Sequence, residues 1–265
     1  MMPEPIEVRD LSFDLDAVPR HWHKLGRSVT TFFDTLSVFF PAGERFFVSA
    51  VRARSKHLTD PKLLDEVRRF CSQEGIHARE HVAYNEMLER QGYPVKELER
   101  GVDVILTVAR RLPKSSQLAI TCALEHFTAL MGHALLGDPR VLEGADEEMA
   151  SLWRWHAAEE SEHKSVAYDV YLASGGKYPE RVAMMVVASL IFWAYVFAYQ
   201  GRMMATDRTA RSAREWSSLF GALFVSPGGL RPLVRHYFSY YRPSFHPNDI
   251  PSRHLIDAWR ARYAA

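Results

Sequence analysis

Two stretches of this chain place a carboxylate and an imidazole one helical turn apart, Glu74-x-x-His77 and Glu160-x-x-His163. At ~100° per residue, an i, i+3 pair lies roughly 60° apart around a helix, so both side chains reach one point beside it. Glu125 and Glu44 each stand singly on another apolar stripe. The chain order is therefore Glu, Glu-x-x-His, Glu, Glu-x-x-His on successive core helices, the arrangement by which a four-helix bundle holds two metal ions. His156 precedes Glu160 by four residues and His163 by seven, so it shares their face and makes the run His-x-x-x-Glu-x-x-His. The candidate metal ligands are Glu44, Glu74, His77, Glu125, His156, Glu160 and His163. Four carboxylates with three imidazoles and no thiolate suit two iron ions, or manganese, better than tetrahedral structural zinc. Four negative charges also balance two divalent ions, which permits burial.

Blander roles exist for the same residue types. Glu44 adjoins Arg45 and could be an edge ion pair, whereas Glu125 sits among apolar Ala123, Leu124, Phe127 and Ala129. Glu159 lies four residues before His163, so a shift of register by one residue would exchange it with Glu160. His81 extends the second helix face by a turn and could be a ligand, a core histidine or, as preferred here, a hydrogen-bond partner that orients a ligand. Glu159 and Glu162 are expected as supporting or surface acids, and His126 as a structural histidine. Cys71 and Cys122, each three residues before a proposed ligand, are expected as small core side chains. Tyr84, Trp153, Trp155 and Tyr168 are expected as core aromatics.

These residues need helices to carry them, and the punctuation provides them. Residues 1–18 are polar and proline-punctuated, which suggests an irregular arm leading to a first helix near Pro19 to Leu36. Pro41 opens a segment through Glu44, Phe47, Val48 and Val51. Asp60-Pro61 pairs a capping residue with a proline at the first helical position. From there Leu64, Val67, Phe70, Cys71, Glu74, His77, His81, Tyr84 and Leu88 recur at helical spacing as far as Gly92. Leu98 to Leu112 is a further helix broken by Pro113. Ser115 or Ser116 is expected to cap the next, which ends at Gly137, and Asp146 begins one running to Val170 before Gly175-Gly176. Strand signals are scarce. The expected fold is all-α, a four-helix metal-binding bundle over 19–176 with a helical extension over 177–265, in a single domain spanning 1–265.

Val182 to Tyr199 is free of charge between Arg181 and Arg202 and sits at the lower length limit for a membrane span. A helix buried on the bundle or in a homodimer interface is favoured, with membrane association as the alternative. Tyr237 to Pro247 is expected as a loop packed on the bundle. Lys plus Arg number 33 against 32 Asp plus Glu, so no net field draws the chain to nucleic acid. With two cysteines in 265 residues and an acidic start, neither a disulfide scaffold nor a signal peptide is expected, and a cytoplasmic setting fits.

The ligand pattern resembles that of ferritin-like non-haem di-iron oxygenases, specifically the p-aminobenzoate N-oxygenase group. That group adds one histidine to the usual bundle ligands, matched here by His156. The wording around the motifs also resembles a bacterial family known only as predicted metal-dependent hydrolases. The resemblance spans about Phe39 to Ala173. It implies an enzyme in which two Fe ions, O₂ and an external electron donor oxidise a small, largely apolar molecule by N-oxygenation or hydroxylation. The alternatives are hydrolysis by a two-metal-activated water and, from another class, ferroxidase or metal-storage activity.

Overall fold

The computed structural model describes residues 5–263. Its helices are α1 (Arg27–Ser55), α2 (Pro61–Arg90), α3 (Val95–Ala109), α4 (Lys114–Gly137), α5 (Glu147–His163), α6 (Val166–Ala173), α7 (Tyr178–Thr206), α8 (Ala213–Phe224), α9 (Leu233–Ser239) and α10 (Arg253–Tyr263). No strand occurs among the described residues. Helices α1, α2, α4 and α5 pack on one another as the central bundle; α7 lies against α1 and α4, α8 against α1, and α10 against α4 and α5. One apolar core runs without interruption from Ile6 in the arm to Phe245 near the C-terminus.

The ends of the site-bearing helices are fixed locally. The Asp60 side chain accepts from Lys62 N with Pro61 at the first helical position, and Asp146 accepts from Glu148 N and Met149 N. Gly175 ends α6 at φ +84°, a backbone conformation that side chains with a Cβ rarely adopt.

Several boundaries differ from the sequence expectation, each for a physical reason. Residues 19–26 are irregular rather than helical, because their polar groups are claimed by distant partners: Trp22 Nε1 donates to Asp34, and His23 Nε2 lies 2.7 Å from the Val141 carbonyl. Pro41 does not open a helix but sits inside α1. It costs one backbone hydrogen bond, and the buried Val38, Phe40, Ala42 and Phe46 around it outweigh that loss. Ser115 and Ser116 do not cap α4; both hydroxyls donate to Glu180 of α7. The helix begun at Asp146 breaks after His163, where the buried Lys164 ammonium donates to the Ile250 carbonyl and Ser252.

By length and composition α4 and α7 could each cross a membrane, but the apolar window of α4 is 72% buried in the protein and that of α7 only 28%. Helix α7 turns Met185, Ala188, Val196 and Met203 inward, and leaves Val186, Leu190, Ile191 and Phe197 exposed. The segment 182–199 is thus packed on one face only, not buried all round. Most of the Tyr237–Pro247 segment packs as expected, Tyr240 and Phe245 being buried, although its first residues belong to α9.

Helices α4 and α5, which carry Glu125 and Glu160, pass in close contact at Gly132. A Cβ there would meet the Ala157 carbonyl oxygen at 2.9 Å and its Cα at 3.2 Å. Gly132→Val is therefore expected to push the two helices apart and to cost about 1–3 kcal/mol, measured by thermal or denaturant unfolding. Unchanged stability would show that the contact carries no constraint.

Candidate metal centre

The bundle brings the predicted residues together at its axis. Glu44 comes from α1, Glu74 and His77 from α2, Glu125 from α4, and His156, Glu160 and His163 from α5; none is more than 3% exposed. Burying so many ionisable groups is costly unless each is paired, hydrogen-bonded or bound to metal. Here the side chains crowd together at ion-pair distances without hydrogen-bonding one another. Both oxygens of Glu44, Glu74 and Glu125, with His77 Nδ1, His156 Nε2 and His163 Nε2, make nine buried ligand atoms with no hydrogen-bond partner among the described residues.

The atoms form two lobes that share Glu160. Its Oε1 lies 3.2 Å from His156 Nε2 and 3.7 Å from His77 Nδ1, while its Oε2 lies 3.4 Å from His163 Nε2. Glu74 Oε1 also spans the two, at 3.1 Å from His163 Nε2 and 4.0 Å from His77 Nδ1. Glu125 closes one lobe, 3.5 Å from His163 Nε2. Glu44 sits at the other end beside His81 and His156. Three overlapping groups, Glu44/His81/His156, His77/His156/Glu160 and Glu74/Glu160/His163, each present ligand atoms within 4.8 Å of one another.

Each of the three histidines has its outer nitrogen held while the inner one faces the cluster, the arrangement that orients imidazole ligands. His77 Nε2–H donates to Glu159 Oε2 at 3.0 Å. His163 Nδ1–H donates to Gln73 Oε1 at 3.0 Å, since the Gln73 amide nitrogen is taken up donating to the Glu7 carbonyl and Glu162 Oε2. His156 Nδ1 lies 2.9 Å from His81 Nε2. Glu159 thus sits behind His77, where it also receives Arg9, and the register places Glu160 inward as expected. His81 takes the supporting position behind His156 while remaining within reach of Glu44. Cys71 and Cys122 are buried outside the clusters, and His126 packs against Tyr240 and Phe245.

Sequence reasoning missed Gln73, Thr128 and the Arg9/Arg260 pair. Thr128 donates to Glu160 Oε2. Arg9 and Arg260 both donate to Glu162. Gln73 and Thr128 are common residue types with no spacing signature, although each shares a helix with an expected ligand. The two arginines lie at opposite ends of the chain, where no local pattern could link them.

Electrostatics in the metal-free cluster follow from burial and crowding. Burial, and then repulsion from neighbouring carboxylates, raises Glu44 and Glu74 well above the carboxylate range, and burial raises Glu125 to about 8. Burial also opposes charge on Glu160 and His163, but their mutual attraction wins. Glu160 stays well below its ordinary value and His163 rises to about 9.

One cavity of about 80 Å³ reaches the cluster, between α1, α4, α5, α8 and the loop that follows α8. Its walls include Leu25, Phe32, Leu36, Phe40, Trp153 and Leu230, and Thr128 and His156 line it at the cluster. No Asp, Glu, Lys or Arg lines it among the described residues.

A family model described as "Predicted metal-dependent hydrolase" matches residues 7–250. The chain belongs to this family. No curated protein and no solved structure matches it. The match to the predicted metal-dependent hydrolases takes in the arm, the bundle and most of the C-terminal extension, a wider span than the Phe39 to Ala173 expected from the motifs. It supports the second of the two resemblances and leaves the likeness to the N-oxygenase group without support.

Metal uptake is expected to release protons. At pH 7 the metal-free chain holds a proton on Glu125, at about 8, and a second proton on His163, at about 9, and a cation must displace both. Apparent Mn(II) affinity should therefore rise with pH through these two values, and the raised Glu44 and Glu74 add to the same dependence. Calorimetry in buffers of different ionisation enthalpy reads the release directly; affinity flat across this interval would contradict the arrangement.

Proposed function

We propose that the cluster binds two divalent metal ions, with Glu44, Glu74, His77, Glu125, His156, Glu160 and His163 as ligands, and that the enzyme uses them to hydrolyse a small, largely apolar molecule. The observation that carries this reading is the convergence of nine buried ligand atoms without a hydrogen-bond partner beside an uncharged cavity. The family description supports hydrolysis as the reaction. Two such ions, when bound, supply Lewis acidity and a water acidic enough to act as nucleophile near neutral pH.

The chain's own residues define the rest. Glu160 and Glu74 reach both lobes and would serve both ions, while Glu44 and Glu125 would serve opposite ends. Thr128 restrains Glu160 through its hydroxyl. The apolar walls admit an uncharged substrate and orient its polar, reacting end toward His156 and Thr128, the polar side chains at the cluster end. Phe40, stacked on His81 and tilted against His156, lines the cavity where the supporting histidine does not.

A second reading, oxidation with O₂ and an external electron donor, is favoured by the donor set. Four carboxylates and three imidazoles without thiolate suit iron, and an apolar cavity next to the cluster serves a substrate rather than a metal store.

Elemental analysis of the purified protein is expected to give two metal ions per chain, and anaerobic assay with small apolar esters and amides to give turnover without reductant. One ion or none would remove the two-metal reading. Turnover that needs both O₂ and reductant would replace hydrolysis with oxidation. Glu160→Ala is expected to lose at least one ion and to reduce activity more than ~100-fold, since it removes the carboxylate common to both lobes.

A further inference from the structure

Behind His156 a file of polar side chains leads out of the bundle. His156 Nδ1 lies 2.9 Å from His81 Nε2, and His81 Nδ1 lies 2.9 Å from Ser37 Oγ. Ser37 Oγ donates to Asn85 Oδ1 at 2.9 Å, and Asn85 Nδ2 donates to Glu99 Oε1 at 3.0 Å. Ser37 and His81 are fully buried, Asn85 is buried, and Glu99 is half-exposed on α3. The file thus crosses from α5 through α2 and α1 and ends at the surface.

Such a file has a direction, and Glu99 sets it. An ionised carboxylate only accepts, so the amide nitrogen of Asn85 must face it and the amide oxygen must face Ser37. Ser37 then spends its one hydroxyl proton on Asn85 and can only accept from His81. His81 meets Ser37 at Nδ1 and His156 at Nε2, and no carboxylate stands within hydrogen-bond distance of either nitrogen among the described residues, so its buried imidazole carries a single proton. That proton lies on Nδ1, toward Ser37. Nε2 of His81 is therefore an acceptor, the proton between the two rings belongs to His156 Nδ1, and His156 is left with Nε2 to offer to the cluster.

We propose that Glu99, Asn85 and Ser37 are positioning residues that fix the tautomer of His81, and through it the nitrogen that His156 presents to the metal centre. This rests on the metal reading given above for its purpose, but its geometry stands without a metal. His77 and His163 achieve the same end by single contacts with Glu159 and Gln73; His156 alone depends on a relay from a surface carboxylate. With the relay reversed, His81 would donate to His156 Nδ1, and His156 could bind a cation at Nε2 only with lone pairs on both nitrogens, as an imidazolate.

The test is the tautomer of His81, read by two-bond ¹H–¹⁵N correlation in metal-free protein with labelled histidine and assigned by loss of the signal in His81→Gln. The expected form is Nδ1–H. Ser37→Ala removes the acceptor and Glu99→Lys replaces an acceptor with a donor at the outer end; both should move the proton to Nε2, whereas Glu99→Gln, which can still accept, should leave it on Nδ1. Ser37→Ala and Glu99→Lys should also weaken Co(II) binding about 10-fold, the lower end of the usual effect of removing a ligand's support. An Nε2–H tautomer in the unmodified protein, or an unchanged tautomer in either altered protein, overturns the proposal. Failure of the metal reading would show differently, as no Co(II) uptake by unmodified protein whose His81 carries its proton on Nδ1. Glu99 lies outside the core, so its variants are not expected to unfold the chain.

Discussion

Four carboxylates facing one another in the interior of a helical bundle form the constraint on which the rest depends. Burial and mutual repulsion both oppose their charge, and an apolar replacement would pack at lower cost. The chain meets this with three imidazoles directed at the same point and with partners behind each imidazole, so that the inner nitrogens stay aimed inward. The close passage of α4 and α5 at Gly132, the polar side chains inside α1 and the capture of Lys164 after α5 all serve to hold this arrangement in register. A position that looks wasteful for stability is thus the organising centre of the packing.

Much of the centre was legible in the sequence because metal ligation demands rare residue types at helical spacing. The two Glu-x-x-His pairs, the single glutamates and His156 converge as their spacing implies, and Asp60-Pro61 and Asp146 begin helices as their capping chemistry predicts. What was not legible depends on tertiary contacts. Pro41 reads as a boundary, yet burial on both sides of it sustains a single α1. Ser115 and Ser116 read as caps, yet Glu180 recruits them from another helix. Gln73 and Thr128 carry no signature because glutamine and threonine serve many purposes, and their role is visible only once a histidine and a glutamate stand beside them. Reaction type was the least legible of all, since one donor set serves water activation and oxygen activation alike.

The cavity and the cluster are chemically opposite and meet along a narrow border. One side is aliphatic and aromatic wall; the other is charge held in low dielectric, where each interaction is stronger than in water. Selectivity in such a site comes from exclusion. A charged molecule would leave its hydration for walls that offer no counter-charge, whereas an apolar one gains by entering and carries its single polar group to the border.

Glu162 joins segments that lie far apart in the sequence. Arg9 reaches it from the arm and Arg260 from α10, while Gln73 ties it to His163. The bundle helices can form and collapse as synthesis proceeds, but the support behind His163 is finished only when α10 has been made and has folded back onto α5. The geometry of the cluster thus depends on a segment that is synthesised long after the residues it steadies.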